Sequence, residues 1–267
     1  RAAIPLGISG MLIMAYARGD QLLVFSINGS KQAGLYGSVY QVLDQSHFVP
    51  ISILTTLSPV MAAAWPADPV RLLRTARLCA ELMAVASFGA LVFVIVEATP
   101  MVKLIFGPGF VEAAPALPVL GGAFVFICFG YLNGSLMLIL GQQRRLLRIS
   151  VIALVVNVAG NLLLLPIVGF MGAAWMTLAT EVVVFGGTLR LIAKRLEIRH
   201  PPTGRMGRTV LAAVGMGVGL ELIKLAGAPL AAVIVAACVS YPALLFALGA
   251  LELDDVRLVL RRRRAPA

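Results

Sequence analysis

The chain has 267 residues, 60% of them hydrophobic and 13% charged, with a mean hydropathy of +0.96 and a formal net charge of +10. Soluble domains sit near half apolar and a quarter charged, so a water-soluble fold cannot absorb this excess and a lipid-facing surface can. The basic residues lie in short clusters between apolar runs, with no aromatic-rich or basic binding module, which excludes a nucleic-acid partner and marks them as orientation signals and lipid contacts.

A membrane-crossing helix needs about 20 mostly apolar residues. The sequence predicts eight of them, in an all-α polytopic bundle. Spans 1 and 2 cover residues 4–27 and 33–64. Spans 3 and 4 cover 78–98 and 116–140. Spans 5 and 6 cover 147–165 and 170–192, and spans 7 and 8 cover 209–225 and 229–251. Spans 5 and 6 share a run from Ile149 to Thr180 without charge until Glu181. That run is too long for one crossing, and Pro166 and Gly169 are the punctuation that divides it. The organisation is a six-helix lobe (1–200), an additional helix pair (201–256) and a basic tail (257–267).

Charge tests the count. Arg71, Arg74 and Arg77 lie between spans 2 and 3, and Arg144, Arg145 and Arg148 between spans 4 and 5. Arg190, Lys194, Arg195, Arg199, Arg205 and Arg208 lie between spans 6 and 7; Arg257, Arg261, Arg262, Arg263 and Arg264 follow span 8. The alternate loops hold only Lys31, Lys103 and Lys224. Seventeen basic residues on one side against 3 on the other put the rich side in the cytoplasm. The expectation is a multi-pass protein of the cytoplasmic membrane with both chain ends cytoplasmic. Arg71, Arg74 and Arg77 recur every three residues on one face leading into span 3, with Glu81 four beyond Arg77. They and the Arg261–Arg264 run are expected to meet anionic lipid headgroups.

Ionisable groups inside a span are costly and usually face a bundle interior or an aqueous cavity. Span 1 carries Arg18 and Asp20, about 200° apart on a helix, so each needs its own partner. Arg18 either binds an anionic substrate group or neutralises a carboxylate on another helix. Span 2 carries Tyr36, Tyr40, Asp44 and His47 within about 80° of arc, with Asp44 roughly 17 Å from the outer end. Asp44 and His47, three apart, can touch. They either exchange a proton as a cavity alternates sides or lock span 2 to a neighbour. Span 5 carries Asn157 and Asn161 on one face, as helix-joining amides or cavity lining. Span 6 carries Thr177, Glu181 and Thr188 on one face. Gly130/Gly134 and Gly215/Gly219 have the spacing that permits close helix packing.

Cys79, Cys128 and Cys238 lie in apolar stretches without CxxC or Cys/His spacing and read as small hydrophobes. No metal-ligand cluster, phosphate loop or nucleophile with a nearby base emerges, and His200 sits in a basic loop. The expectation is neither an enzyme nor a cofactor protein. The chain opens on Arg1 already close to a hydrophobic run, as a fragment of a longer protein would.

Two stretches carry a family resemblance. One is Phe106-Gly107-Pro108-Gly109-Phe110 followed by Glu112 to Leu117. The other is Asn157 and Asn161, then Leu162 to Pro166, Gly169, Gly172 to Ala174 and Thr177. Asp20, Gly34, Tyr36, Tyr40 and the Pro59 that closes span 2 fit the same pattern. Together, over about residues 5–195, they resemble the oligosaccharide/polysaccharide flippases of the multidrug/oligosaccharidyl-lipid/polysaccharide exporter superfamily. The resemblance implies fourteen helices in two six-helix lobes plus a final pair. This chain would supply helices seven to fourteen, with a first lobe missing. It also implies lipid-linked oligosaccharide as the substrate, moved by alternating access around a central cationic cavity. If Arg1 begins the native protein, that mechanism needs a partner or a dimer. Arg18 is the one basic residue within a span of this half, so either the missing lobe supplies the other cations or the substrate is less anionic. The expected cavity residues are Arg18, Asp20, Tyr40, Asp44, His47, Asn157, Asn161 and Glu181. A drug/cation antiporter of the same superfamily, built on Asp20, Asp44 and Glu181, is the alternative; a glycan polymerase or ligase and a non-transporting scaffold stand further off.

Overall fold

The computed structural model describes residues 3–196 and 204–251. Every regular element among them is helical: α1 (Ala3–Ser46), α2 (Phe48–Ala64), α3 (Pro69–Phe106), a 3-10 turn (Pro108–Ala113), α4 (Ala116–Ile139), α5 (Gln143–Val168), α6 (Phe170–Leu196), α7 (Gly204–Leu225) and α8 (Leu230–Ala247). Seven helical stretches are long and apolar enough to cross a membrane. The first of them, residues 18–64, makes two crossings. Gly29 sits at φ 82°, ψ 178°, a backbone region open essentially to glycine. Tyr36 reaches Asp20 at 3.4 Å and Arg18 reaches Asp44 at 2.9 Å. A continuous helix would hold those pairs about 24 Å and 39 Å apart. The chain therefore doubles back at Gly29, α1 is a pair of antiparallel arms, and the eight crossings read from the sequence follow.

Two boundaries differ from expectation. Span 2 is broken at His47 because Pro50 has no N–H to give the Ser46 carbonyl; the His47 amide bonds back to the Asp44 carbonyl at 3.2 Å instead. Span 3 begins nine residues earlier than predicted, at Pro69. Asp68 caps it, Oδ1 accepting the Arg71 amide at 2.9 Å, and proline suits a first helical turn. Arg71, Arg74 and Arg77 thus ride exposed on α3 itself. At 38 residues α3 is about 57 Å long, well beyond the roughly 30 Å hydrocarbon core, so its arginine-bearing start projects past the apolar layer.

Turns alternate between two ends of the bundle. At the basic end, the Arg195 guanidinium lies 5.8 Å from the Trp65 ring, and Glu81 takes both Arg77 (3.0 Å) and Arg205 (3.2 Å). At the opposite end, residues beside Gly29 cap the α5–α6 turn. Asn28 Nδ2 donates to the Leu165 carbonyl at 2.9 Å, and Gln32 Oε1 accepts the Phe170 amide at 2.8 Å. The Phe170 amide is one that a helix start leaves without an internal partner, and the Leu165 carbonyl accepts the Gly169 amide at 3.1 Å as well. Lys31 adds an ion pair to Glu112 at 2.8 Å.

The core holds α1, α5, α6 and α4 against one another, with α3 against α4 and α2. The additional pair packs on α3: α7 contacts α3, and α8 contacts mainly α7. Two hydrogen bonds to α3 carbonyls fix it. Tyr241 Oη donates to Val85 at 2.7 Å and Lys224 Nζ to Val96 at 2.7 Å. The Val96 carbonyl is available because Pro100, four residues on, has no N–H. The predicted packing glycines are corrected here. The close approach of α7 to α3 is made by Gly217, facing Val92, while Gly215 has ordinary contact with Leu244 and Gly219 faces open space. Gly134 likewise packs against nothing and Gly130 meets only the Glu181 carboxylate.

Candidate functional site

Gly130 and Gly134 instead border an open cavity of about 580 Å³ lined by α1, α2, α4, α5 and α6. No lining residue comes from α3, α7 or α8. One extremity is Asp20, nine residues or about 14 Å from Gly29. The other is Leu138 and Leu146, which flank the α4–α5 turn at the basic end. The carboxylates of the lining lie toward Asp20; toward the basic end Ile51, Leu54, Leu138 and Leu146 are interspersed with the hydroxyls of Thr55, Ser58, Ser135 and Ser150.

The Asp20 end is a hydrogen-bonded cluster drawn from both arms of α1 and from α5 and α6. Asp20 is 1% exposed. Its Oδ1 accepts from Asn161 Nδ2 at 2.9 Å; its Oδ2 lies 2.9 Å from the Thr177 hydroxyl and 3.4 Å from that of Tyr36. Thr177 has one proton to give, and the Ala173 carbonyl at 3.0 Å competes for it. Tyr36 and Thr177 are themselves 3.1 Å apart. Asn161 also contacts the Asn157 side chain at 3.3 Å. A buried carboxylate needs such donors, since burying an unpaired polar group costs several kcal/mol. Asn161 of α5 therefore joins helices, through a carboxylate on α1. Asp20, Thr177 and the two asparagines also present the hard oxygen donors that small cations take, although no group of three or more His, Cys, Asp or Glu side chains assembles among the described residues.

Arg18 and Asp20 do point to different partners. Arg18 Nη1 meets Asp44 Oδ2 at 2.9 Å, with side chains 59% and 24% exposed. Arg18 thus pairs with a carboxylate on the other arm of its own hairpin. Asp44 spends its carboxylate on Arg18, and its contact with His47 runs through backbone. The His47 ring instead meets Tyr131 edge-on at 5.9 Å. Tyr40 packs on Tyr36 at 5.4 Å and has Asp20, Asp44, Glu181 and Arg18 as its charged surroundings.

Of the eight expected residues, Asp20, Tyr40, His47, Asn157 and Glu181 line the cavity. Asn161 stands behind Asp20, and Arg18 and Asp44 form the pair beside Tyr40. Thr177 and Thr188 share the cavity-facing side of α6 with Glu181, as their spacing implied. Missed in the sequence were Tyr131, Ser135, Ser58 and Ser150, which line the space, and Asn133, which donates to Thr188 at 3.0 Å. Ser58 and Ser135 bond at 2.8 Å between α2 and α4. Single hydroxyls scarcely perturb an apolar run; only the i, i+4 sequence Gly130, Gly134 and Leu138, with Tyr131 and Ser135 alongside, could have shown that face of α4. The lining combines hydroxyls, the Asn157 amide, the rings of Tyr40, Tyr131 and His47, and two carboxylates. The predicted lipid contacts at Arg261, Arg262, Arg263 and Arg264 lie outside the described residues, as does His200.

No curated protein matches the chain. Residues 3–115 match a protein family described as polysaccharide biosynthesis protein. The match takes in both arms of α1, α2, α3 and the 3-10 turn, hence Asp20, Tyr36, Tyr40, Asp44 and the Phe106–Phe110 segment on which the flippase resemblance was drawn. The chain is a multi-pass α-helical membrane protein, and over residues 3–115, somewhat under half of its length, it is similar to the polysaccharide biosynthesis protein family.

Proposed function

We propose that the chain is part of a transporter that moves lipid-linked oligosaccharide across the cytoplasmic membrane by alternating access. The observation that carries this reading is the cavity, with Asp20, Tyr40, Asn157 and Glu181 at one end and mixed leucine and serine lining toward the α4–α5 turn, in a chain whose residues 3–115 match a polysaccharide biosynthesis protein family. With the basic end cytoplasmic, as the charge bias directs, the cavity runs from the cytoplasmic side to about the bilayer middle. Its amphipathic lining suits a substrate that joins sugar to lipid. Exposed Arg71, Arg74 and Arg77 hold the basic end at anionic headgroups. In the resembled architecture a first six-helix lobe faces this one, so the working unit is the full protein.

The test is genetic and direct. A strain lacking the gene accumulates lipid-linked oligosaccharide in the cytoplasmic leaflet, and the purified full protein moves that lipid in proteoliposomes. Normal surface glycan in the deletion strain, with no inner-leaflet accumulation, overturns the reading. Acidic Asp20, Asp44 and Glu181 favour the drug/cation antiporter as the second reading; drug hypersensitivity of the deletion strain with unaltered glycan would select it.

A further inference from the structure

We propose that Arg195, standing on Trp65 at the basic end, takes the diphosphate that joins sugar to lipid; the inference rests on the transporter reading above and assigns the charged part of its substrate to a residue. No lysine or arginine lines the cavity among the described residues, and Arg18 is engaged by Asp44 at 2.9 Å. An anionic link still needs a cation, and helical geometry shows which one lies on its path. On α6 the cavity-lining residues are Thr177, Glu181, Val184 and Thr188. Arg195 comes seven residues after Thr188, which places it within about 10° of the middle of that stripe and about 10 Å further toward the basic end. Arg190 and Lys194 fall more than about 100° away from the stripe. On α5, Arg144, Arg145 and Arg148 lie as far from the face that carries Leu146, Ser150 and Asn157.

The α2 wall ends in the same way. Trp65 comes seven residues after Ser58, on the continuation of the stripe of Ile51, Leu54, Thr55 and Ser58. The two continuations converge, with the Arg195 guanidinium 5.8 Å from the Trp65 ring centroid. The pair thus links α6 to α2 at the cytoplasmic rim of the cavity. Tryptophan favours the headgroup level of a bilayer, the level at which a lipid phosphate sits. Arg195 is exposed, and among the described residues it has neither a carboxylate nor a carbonyl partner. A guanidinium resting on an aromatic ring keeps N–H groups for a phosphate, which it can meet through two of them at once. With the diphosphate held at the rim, the sugar reaches inward among Ser58, Ser135 and Ser150, and the polyprenyl chain stays in the leaflet.

The test uses the full protein in phosphatidylcholine nanodiscs and three fluorescent probes bearing N-acetylglucosamine: a polyprenyl diphosphate, a polyprenyl monophosphate and a phosphate-free polyprenyl glycoside. Arg195→Gln is expected to weaken binding of the diphosphate probe at least about tenfold, the monophosphate probe less, and the glycoside by no more than about twofold. Arg195→Lys keeps the charge without the fork and should fall between Arg195→Gln and wild type. Phosphatidylglycerol added to the nanodiscs should leave these differences in place. Unchanged diphosphate affinity in Arg195→Gln overturns the inference, as does an equal loss for all three probes, which marks a structural role. Differences that phosphatidylglycerol abolishes assign Arg195 to the headgroups of the bilayer and overturn it too. None of those outcomes touches the transporter reading, which wild-type flipping of the diphosphate probe in proteoliposomes tests; folded protein that flips none of it overturns both. Where Arg195→Gln fails to fold, the same three-probe comparison between Arg195→Lys and wild type decides.

Discussion

Arg18 and Asp44 meet at 2.9 Å although a whole helical hairpin separates them in sequence. The contact exists because Gly29 turns the chain back on itself. It engages the guanidinium of Arg18, and it holds the arms together beside Tyr40. Reversal to Arg18→Glu should therefore reduce transport at least about tenfold, from repulsion with Asp44. Adding Asp44→Arg should restore most of it, as a coupled pair requires. Initial rates in proteoliposomes measure both; a double variant no better than Arg18→Glu shows that Arg18 acts on substrate instead.

Asp20 is the acceptor on which three helices converge. Asp20→Ala removes the charged acceptor of Asn161 and Thr177, worth about 1.5–3 kcal/mol for a hydrogen bond to a charged group, while Thr177 keeps the Ala173 carbonyl and Asn161 the Asn157 carbonyl. The variant should melt several degrees lower in detergent. Asn161→Ala should add little to Asp20→Ala, because the two losses share one bond. Full additivity of the two melting shifts would show that the bond does not form.

Lys224 couples the additional pair to the lobe at a flaw in α3. It caps the carbonyl released by Pro100 and stands 3.7 Å from Glu97, which is buried. Lys224→Met should destabilise by about 1–3 kcal/mol, and Glu97→Gln in the same chain should recover part of that by removing the unpaired charge. Thermal unfolding of the two variants in detergent gives the comparison; equal melting of Lys224→Met and wild type refutes the coupling.

Glycines that look alike in sequence should behave oppositely. Gly169 has φ 62°, and a methyl group there would strike the Gln32 side chain that caps α6. Gly169→Ala should cost at least about 1 kcal/mol from backbone strain. Gly134 has open space where a side chain would go, so Gly134→Ala should leave the melting temperature within a degree or two. Gly134→Leu should fold but slow transport by filling the cavity. Loss of folding in Gly134→Ala would remove Gly134 from the cavity wall.

Composition and charge by themselves determined the class of this protein: helical, membrane-crossing, with turns alternating between a basic and a sparsely charged end. Lipid forces that legibility, since every backbone polar group must be satisfied within a helix and basic residues sort to one side. Asp20, Glu181 and the two asparagines stood out for the same reason: a polar group in an apolar run needs an explanation. Helical periodicity also gave the separate directions of Arg18 and Asp20. Only the tertiary structure decided their partners. Asp44 pairs with Arg18 and not with His47, Asn161 serves Asp20, and Gly130 and Gly134 border a cavity where close helix packing was expected. Each of these depends on the rotation and depth of one helix against another. That is set by packing among several apolar faces, and a single helix's sequence carries little trace of which face its neighbour will meet.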